Sequence, residues 1–112
     1  MEPFVLVLLA GGRAHGYAIT AGLEEMGITG GSVDVGQVYR TLRDLEAAGM
    51  VTSSWSAEVA GPQRRDYELT DVGYLAIDEW AAVMKERARL IGEFNARYLE
   101  AVARPRRLRS PT

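Results

Sequence analysis

Arg40 and Arg43 stand three residues apart, with Gly36 and Gln37 just before them and Asp44 just after. A guanidinium can pair bidentately with the major-groove edge of guanine or with a phosphate, and a glutamine amide can pair in the same way with adenine. Gly36 would let the backbone come close to whatever these side chains meet. A second donor-rich stretch, Gln63-Arg64-Arg65, follows Gly61-Pro62. Arg64 suits a phosphate or a minor-groove contact, whereas Arg65 suits either that or an ion pair with a neighbouring carboxylate. Tyr39 sits among the first group and has two uses open to it: packing its ring, or reaching a phosphate with its hydroxyl. The bland reading of both clusters is an exposed polar surface with no partner.

Other chemistry is poorly supplied. The chain has no cysteine and one histidine, so a thiolate metal site is impossible and any metal centre would rest on carboxylates. His15 has no nucleophile or paired carboxylate near it in sequence and reads as a helix cap or packing residue. We expect no enzyme activity, no metal and no cofactor. The longest apolar run, Phe4 to Ala10, falls well short of the roughly 18 residues of a membrane span, which gives a cytoplasmic protein with no membrane partner.

The elements that must carry these residues follow from periodicity. With 112 residues, 47% hydrophobic and 25% charged, the chain suits one soluble globular domain plus an extended element. Pro3 opens a first helix through Ala10, stopped by Gly11-Gly12. A second helix runs from His15 to Met26 on the spacing of Ile19, Leu23 and Met26, with Gly27 as its C-terminal cap. A third runs from Asp34, in N-cap position, to Ala48 before Gly49. In it Val35, Val38, Leu42 and Leu45, joined by Tyr39, form one face, and Gly36, Gln37, Arg40, Arg43 and Asp44 fall on the other. The period then changes to two over Val51 to Ser56 and again over Arg65 to Leu69, which predicts a β-hairpin turning at Gly61-Pro62.

Thr70-Asp71 starts a last helix with no strong breaker before Pro105. Ile77, Trp80, Met84, Ile91, Phe94 and Tyr98 lie along it at the three- and four-residue steps of a coiled-coil seam, with Arg87 in the one slot between Met84 and Ile91. Too few apolar residues remain elsewhere to cover that stripe, so a second copy of the chain is expected to do so, packed symmetrically. Trp80 and Met84, one turn apart, also suit a flat hydrophobic ligand, although plain interface packing is the preferred reading of the pair. The predicted layout is a winged helix-turn-helix over 1–70, a dimerisation helix over 71–104, and a disordered basic tail over 105–112. The fold class is mostly α with a small β-hairpin.

This order of elements, together with four stretches, resembles the PadR family of bacterial transcriptional regulators. The stretches are Leu8-Leu9-Ala10 leading to His15-Gly16-Tyr17, Gly36 to Leu42, Leu45 to Val51, and Gly61 to Thr70 followed by Gly73. The resemblance implies a homodimer that binds operator DNA, represses transcription, and lets go when a small molecule binds. The short chain is similar to the smaller PadR subfamily, whose members take planar hydrophobic compounds at the dimer centre. Gln37 departs from the serine or threonine usual in the family, which implies a different groove contact there. In that frame the third helix enters the major groove and the hairpin is the wing.

Charge is the feature that fits least. The net charge is −2, and up to Thr70 five basic residues (Arg13, Arg40, Arg43, Arg64, Arg65) face nine acidic ones. A DNA contact must therefore be local, resting on the four arginines of the third helix and the hairpin. The same acidity favours the alternative, a winged-helix protein-interaction module that does not bind DNA.

Overall fold

Seven elements make up the computed structural model, which describes residues 1–56 and 64–105: α1 (Glu2–Ala10), β1 (Ala14–His15), α2 (Gly16–Met26), α3 (Val35–Ala47), β2 (Val51–Trp55), β3 (Arg65–Leu69) and α4 (Asp71–Val102). The expected turn at Gly61-Pro62, Gln63, and all of the basic tail beyond Pro105 lie outside the described residues.

Local chemistry explains most of the boundaries. Pro3 occupies the first turn of α1, where its missing N–H costs nothing. His15 caps α2, its Nδ1 accepting from the Ala18 N–H at 3.2 Å. Gly27 ends that helix with φ +74°, a left-handed turn that a side chain would strain. Asp34 caps α3, with Oδ1 accepting from the Gly36 N–H at 2.9 Å. At the other end of α3 the Met50 N–H donates to the Leu45 carbonyl and the Gly49 N–H to that of Glu46, with Gly49 at φ +76°. This is a Schellman closure, which satisfies carbonyls the helix would otherwise leave open.

The sheet has the order β1-β3-β2, all antiparallel. β2 and β3 form the expected hairpin, in register from Val51 opposite Leu69 to Trp55 opposite Arg65. β1 was not expected: Ala14 pairs with Tyr67 and His15 with Asp66 on the other edge of β3. The hairpin is thereby tied to the start of α2.

The core gathers Val5, Leu6 and Leu9 of α1, Ile19 and Leu23 of α2, and Val38, Leu42 and Leu45 of α3, closed by Val33, Val51, Tyr67 and Ala76. α2 and α3 thus bury most of the face that periodicity assigns to the interior, but Met26, expected with Ile19 and Leu23, is 46% exposed at the end of α2, where Gly27 turns the chain.

One hydroxyl joins the start of α4 to the end of α3. Thr70 Oγ1 donates to the Gly49 carbonyl and accepts from the Gly73 N–H, while the Thr70 N–H donates to the Met50 carbonyl. Gly73 lies directly on that Met50 carbonyl, where any side chain would overlap it.

The chain divides into two compact units, Met1–Trp80 and Ala81–Thr112. In the first, α4 contributes the buried Gly73 and Ala76. In the second, Val83, Leu90, Ile91, Phe94, Tyr98, Leu99 and Val102 are all exposed.

Candidate nucleic-acid interface

α3 presents the face that its periodicity predicts. Val38, Leu42 and Leu45 are buried, Val35 and Tyr39 are half-buried, and Gln37, Arg40, Arg43 and Asp44 are exposed. The two arginines differ in their surroundings. Arg40 Nη2 lies 3.8 Å from Asp34 Oδ2, whereas Arg43 forms no hydrogen bond or ion pair with any described residue. Both partners of the Arg40 pair are more than 60% exposed. Such a pair adds between about 0 and 1 kcal/mol to folding, so stability gives it little reason to exist. Gly36 lies beside it: a Cβ there would stand 3.2 Å from Asp34 Oδ1 and 3.6 Å from Arg40 Nη1.

Tyr39 is positioned by α2. Its ring meets Tyr17 edge-on, with centroids 6.3 Å apart and planes at 82°, and rests against Gly16. Burial above all, with Tyr17 and Tyr67 adding to it, raises its phenol above the usual tyrosine pKa. The packing use of Tyr39 is therefore the one its ring is seen to make.

The wing arginines are also distinct from each other. Arg65 does not pair with a carboxylate among the described residues. Its guanidinium lies 5.1 Å from the centroid of the Trp55 ring, and Nη1 approaches Ser53 Oγ at 3.5 Å. Arg64 is exposed, with Nη1 3.3 Å from His15 Nε2.

The structure brings Gly36, Gln37, Tyr39, Arg40 and Arg43 together on α3, and places Arg64 and Arg65 on the wing. Sequence reasoning did not find the role of Asp34 beside Arg40, because the pair spans six residues and begins outside the helix, where helical periodicity is silent.

The stripe residues of α4 divide by unit. In the first, Ile77 and Trp80 are half-buried against the core. In the second, Met84 is half-buried, Ile91 is exposed, and Phe94 and Tyr98 are exposed and stacked on each other at 6.2 Å between centroids. Among the described residues no group of His, Asp and Glu side chains is placed to hold a metal, and no helix is long and apolar enough to cross a membrane.

Three helices, a small antiparallel sheet and a long C-terminal helix in this order define a winged helix-turn-helix of the regulator type. The model of the transcriptional regulator PadR-like family matches residues 5–79, and the chain belongs to that family. It is a family of transcriptional regulators, not of enzymes.

Solved structures agree. Bacillus subtilis PadR in complex with operator DNA is 28% identical with a TM-score of 0.63, over 71% of this chain and 44% of that one. The chain thus spans less than half the length of that relative. TM0937, a conserved protein of unknown function and a potential transcriptional factor, is 30% identical with a TM-score of 0.80, over 92% of this chain and 90% of that one. A PadR family transcriptional regulator from Eggerthella lenta is 25% identical with a TM-score of 0.65, over 80% and 79% of the two chains. No curated protein sequence matches the chain.

Proposed function

We propose that this protein is a homodimeric, sequence-specific DNA-binding regulator that represses transcription and is released from its operator by a planar hydrophobic effector. The observation that carries the reading is α3, which buries Val38, Leu42 and Leu45 and exposes Gln37, Arg40 and Arg43 along the opposite side. That is the arrangement a helix needs to lie in a major groove while staying part of its domain. Bacillus subtilis PadR, a relative by fold and sequence, has been solved on its operator. Arg64 and Arg65 extend the donor surface onto the wing, where they meet the backbone.

The α4 stripe of Ile77, Trp80, Met84, Ile91, Phe94 and Tyr98 is the dimer surface in this reading, since most of its second half is exposed in a single chain. Trp80 and Met84 are the residues for a flat effector. Quenching of Trp80 fluorescence by a planar aromatic compound, lost in Trp80→Phe, tests that part. A regulator of this kind works in the cytoplasm.

The net charge of −2 supports a second reading, an interaction module without DNA binding. Titration of the protein into labelled duplex from the DNA upstream of its own gene, at moderate salt and beside a scrambled duplex, separates the two. Preferential binding to the upstream duplex supports regulation; no binding to either leaves the interaction module.

A further inference from the structure

Asp34, the N-cap of α3, forms an ion pair with Arg40 on the exposed side of that helix, and the neighbouring arginine, Arg43, has no such partner among the described residues. We propose that Asp34 is a specificity-determining residue that orients Arg40 toward one guanine, leaving Arg43 for the phosphates. The inference rests on the DNA-binding reading above and names how that face discriminates.

The carboxylate is well placed because its two oxygens have separate tasks. Oδ1 accepts from the Gly36 N–H at 2.9 Å, which anchors the group to the first turn of α3, and Oδ2 faces Arg40 Nη2. Gly36 keeps the space beside them open: even a methyl group would press on Asp34 Oδ1. A guanidinium with even a loose ionic partner at 3.8 Å samples fewer rotamers, and so loses less freedom when it meets a base, than one with none. Bidentate pairing with guanine O6 and N7 needs the planar fork correctly presented, and a carboxylate behind it supplies that constraint.

The charge of Asp34 also discriminates by opposition. An acid on a face that approaches phosphates weakens binding to any duplex. It weakens binding least where Arg40 has a guanine to engage, and specificity is that difference. Arg43, unrestrained, can follow whichever phosphate oxygen is near, which gives affinity without sequence information.

The test uses the full-length protein and a duplex library with a randomised core. Asp34→Asn keeps a side-chain oxygen for the Gly36 N–H and removes the charge, and Asp34→Ser is a second uncharged cap, so α3 stays folded in at least one of them. The wild type should enrich a motif containing a G·C pair that Arg40→Ala erases. Asp34→Asn and Asp34→Ser should relax the same pair, with discrimination there falling about tenfold while binding to scrambled duplex tightens. Asp34→Asn combined with Arg40→Ala should discriminate no worse than Arg40→Ala alone. If the uncharged variants bind every duplex more tightly with the motif intact, Asp34 is only a cap and a repulsive charge, and the inference falls while the DNA-binding reading stands. A wild type that enriches no motif overturns both.

Discussion

The ring of Tyr39 rests on Gly16 so closely that a methyl group at residue 16 would overlap it. Gly16 is the first residue of α2 and Tyr39 lies in the second turn of α3, so this contact sets how the two helices cross. Gly16→Ala should force the ring away and cost on the order of 1 to 3 kcal/mol, read as a shift in the denaturant midpoint. A second consequence concerns pH. Burial first, then Tyr17 and Tyr67, raise the Tyr39 phenol above its usual 10.0, so the fold favours the neutral form. That contribution is complete below the unfolded value and is lost as pH rises through the folded one. Wild type should therefore lose stability above pH 10 more steeply than Tyr39→Phe. Parallel alkaline curves for the two would show that the ring is not held as described.

Several features were legible because one helix or one turn determines them. Gly27 and Asp34 could be read as caps, and the split of α3 into Val38, Leu42 and Leu45 against Gln37, Arg40 and Arg43 follows from the 100° step. β1 was not legible. Two residues, Ala14 and His15, have no period to detect, and their strand character exists only because Tyr67 and Asp66 lie opposite. The same limit applies to Gly16, which reads locally as part of a helix start and gains its meaning from Tyr39, and to Thr70, whose partner carbonyl is on Gly49. Arg65 offered two readings, and the structure supplies a third, over the Trp55 ring.

The Thr70 hydroxyl serves both ends of a helix junction, accepting from the Gly73 N–H and donating to the Gly49 carbonyl. Thr70→Val keeps the shape and removes both bonds. It should cost roughly 1 to 3 kcal/mol, while Thr70→Ser, which keeps the hydroxyl, should cost much less. Thermal melts of the two variants decide it. Equal losses would mean that the methyl group, not the hydroxyl, is what matters at this junction.

For the dimer, Phe94 is the sharper probe and Trp80 the blunter one. Phe94 is 67% exposed in the single chain, so removing its ring takes nothing from that chain's core. If a second copy covers it, Phe94→Ala should weaken association by on the order of 3 kcal/mol with little change in the monomer's secondary structure. Trp80 packs partly on its own core, so Trp80→Ala should cost both association and folding. Sedimentation analysis separates these outcomes. A wild type that remains monomeric at micromolar concentration would remove the dimer from the proposed function.

The arginines should differ in kind, because they stand on elements that approach DNA differently. Arg40 and Arg43 are exposed on α3 and Arg64 is exposed on the wing beside His15; in the proposed reading Arg40 meets a base edge, while Arg43 and Arg64 meet the DNA backbone. Arg40→Ala and Arg43→Ala should each weaken operator binding by roughly 1 to 3 kcal/mol, with Arg40→Ala also relaxing sequence preference. Arg64→Ala should weaken operator and scrambled duplexes alike. Removing one arginine–phosphate pair lowers the slope of log affinity against log salt by about one unit, so the Arg43 and Arg64 variants should each show that drop on both duplexes. With an acidic balance up to Thr70, these few arginines carry nearly all of the attraction, and the wild-type slope should be steep for a protein with a net charge of −2. The measurement is a salt series on operator and scrambled duplexes for the wild type and the three variants. Small and equal losses in all three, with no change of slope, would show that this face is solvated and leave the interaction module as the better account.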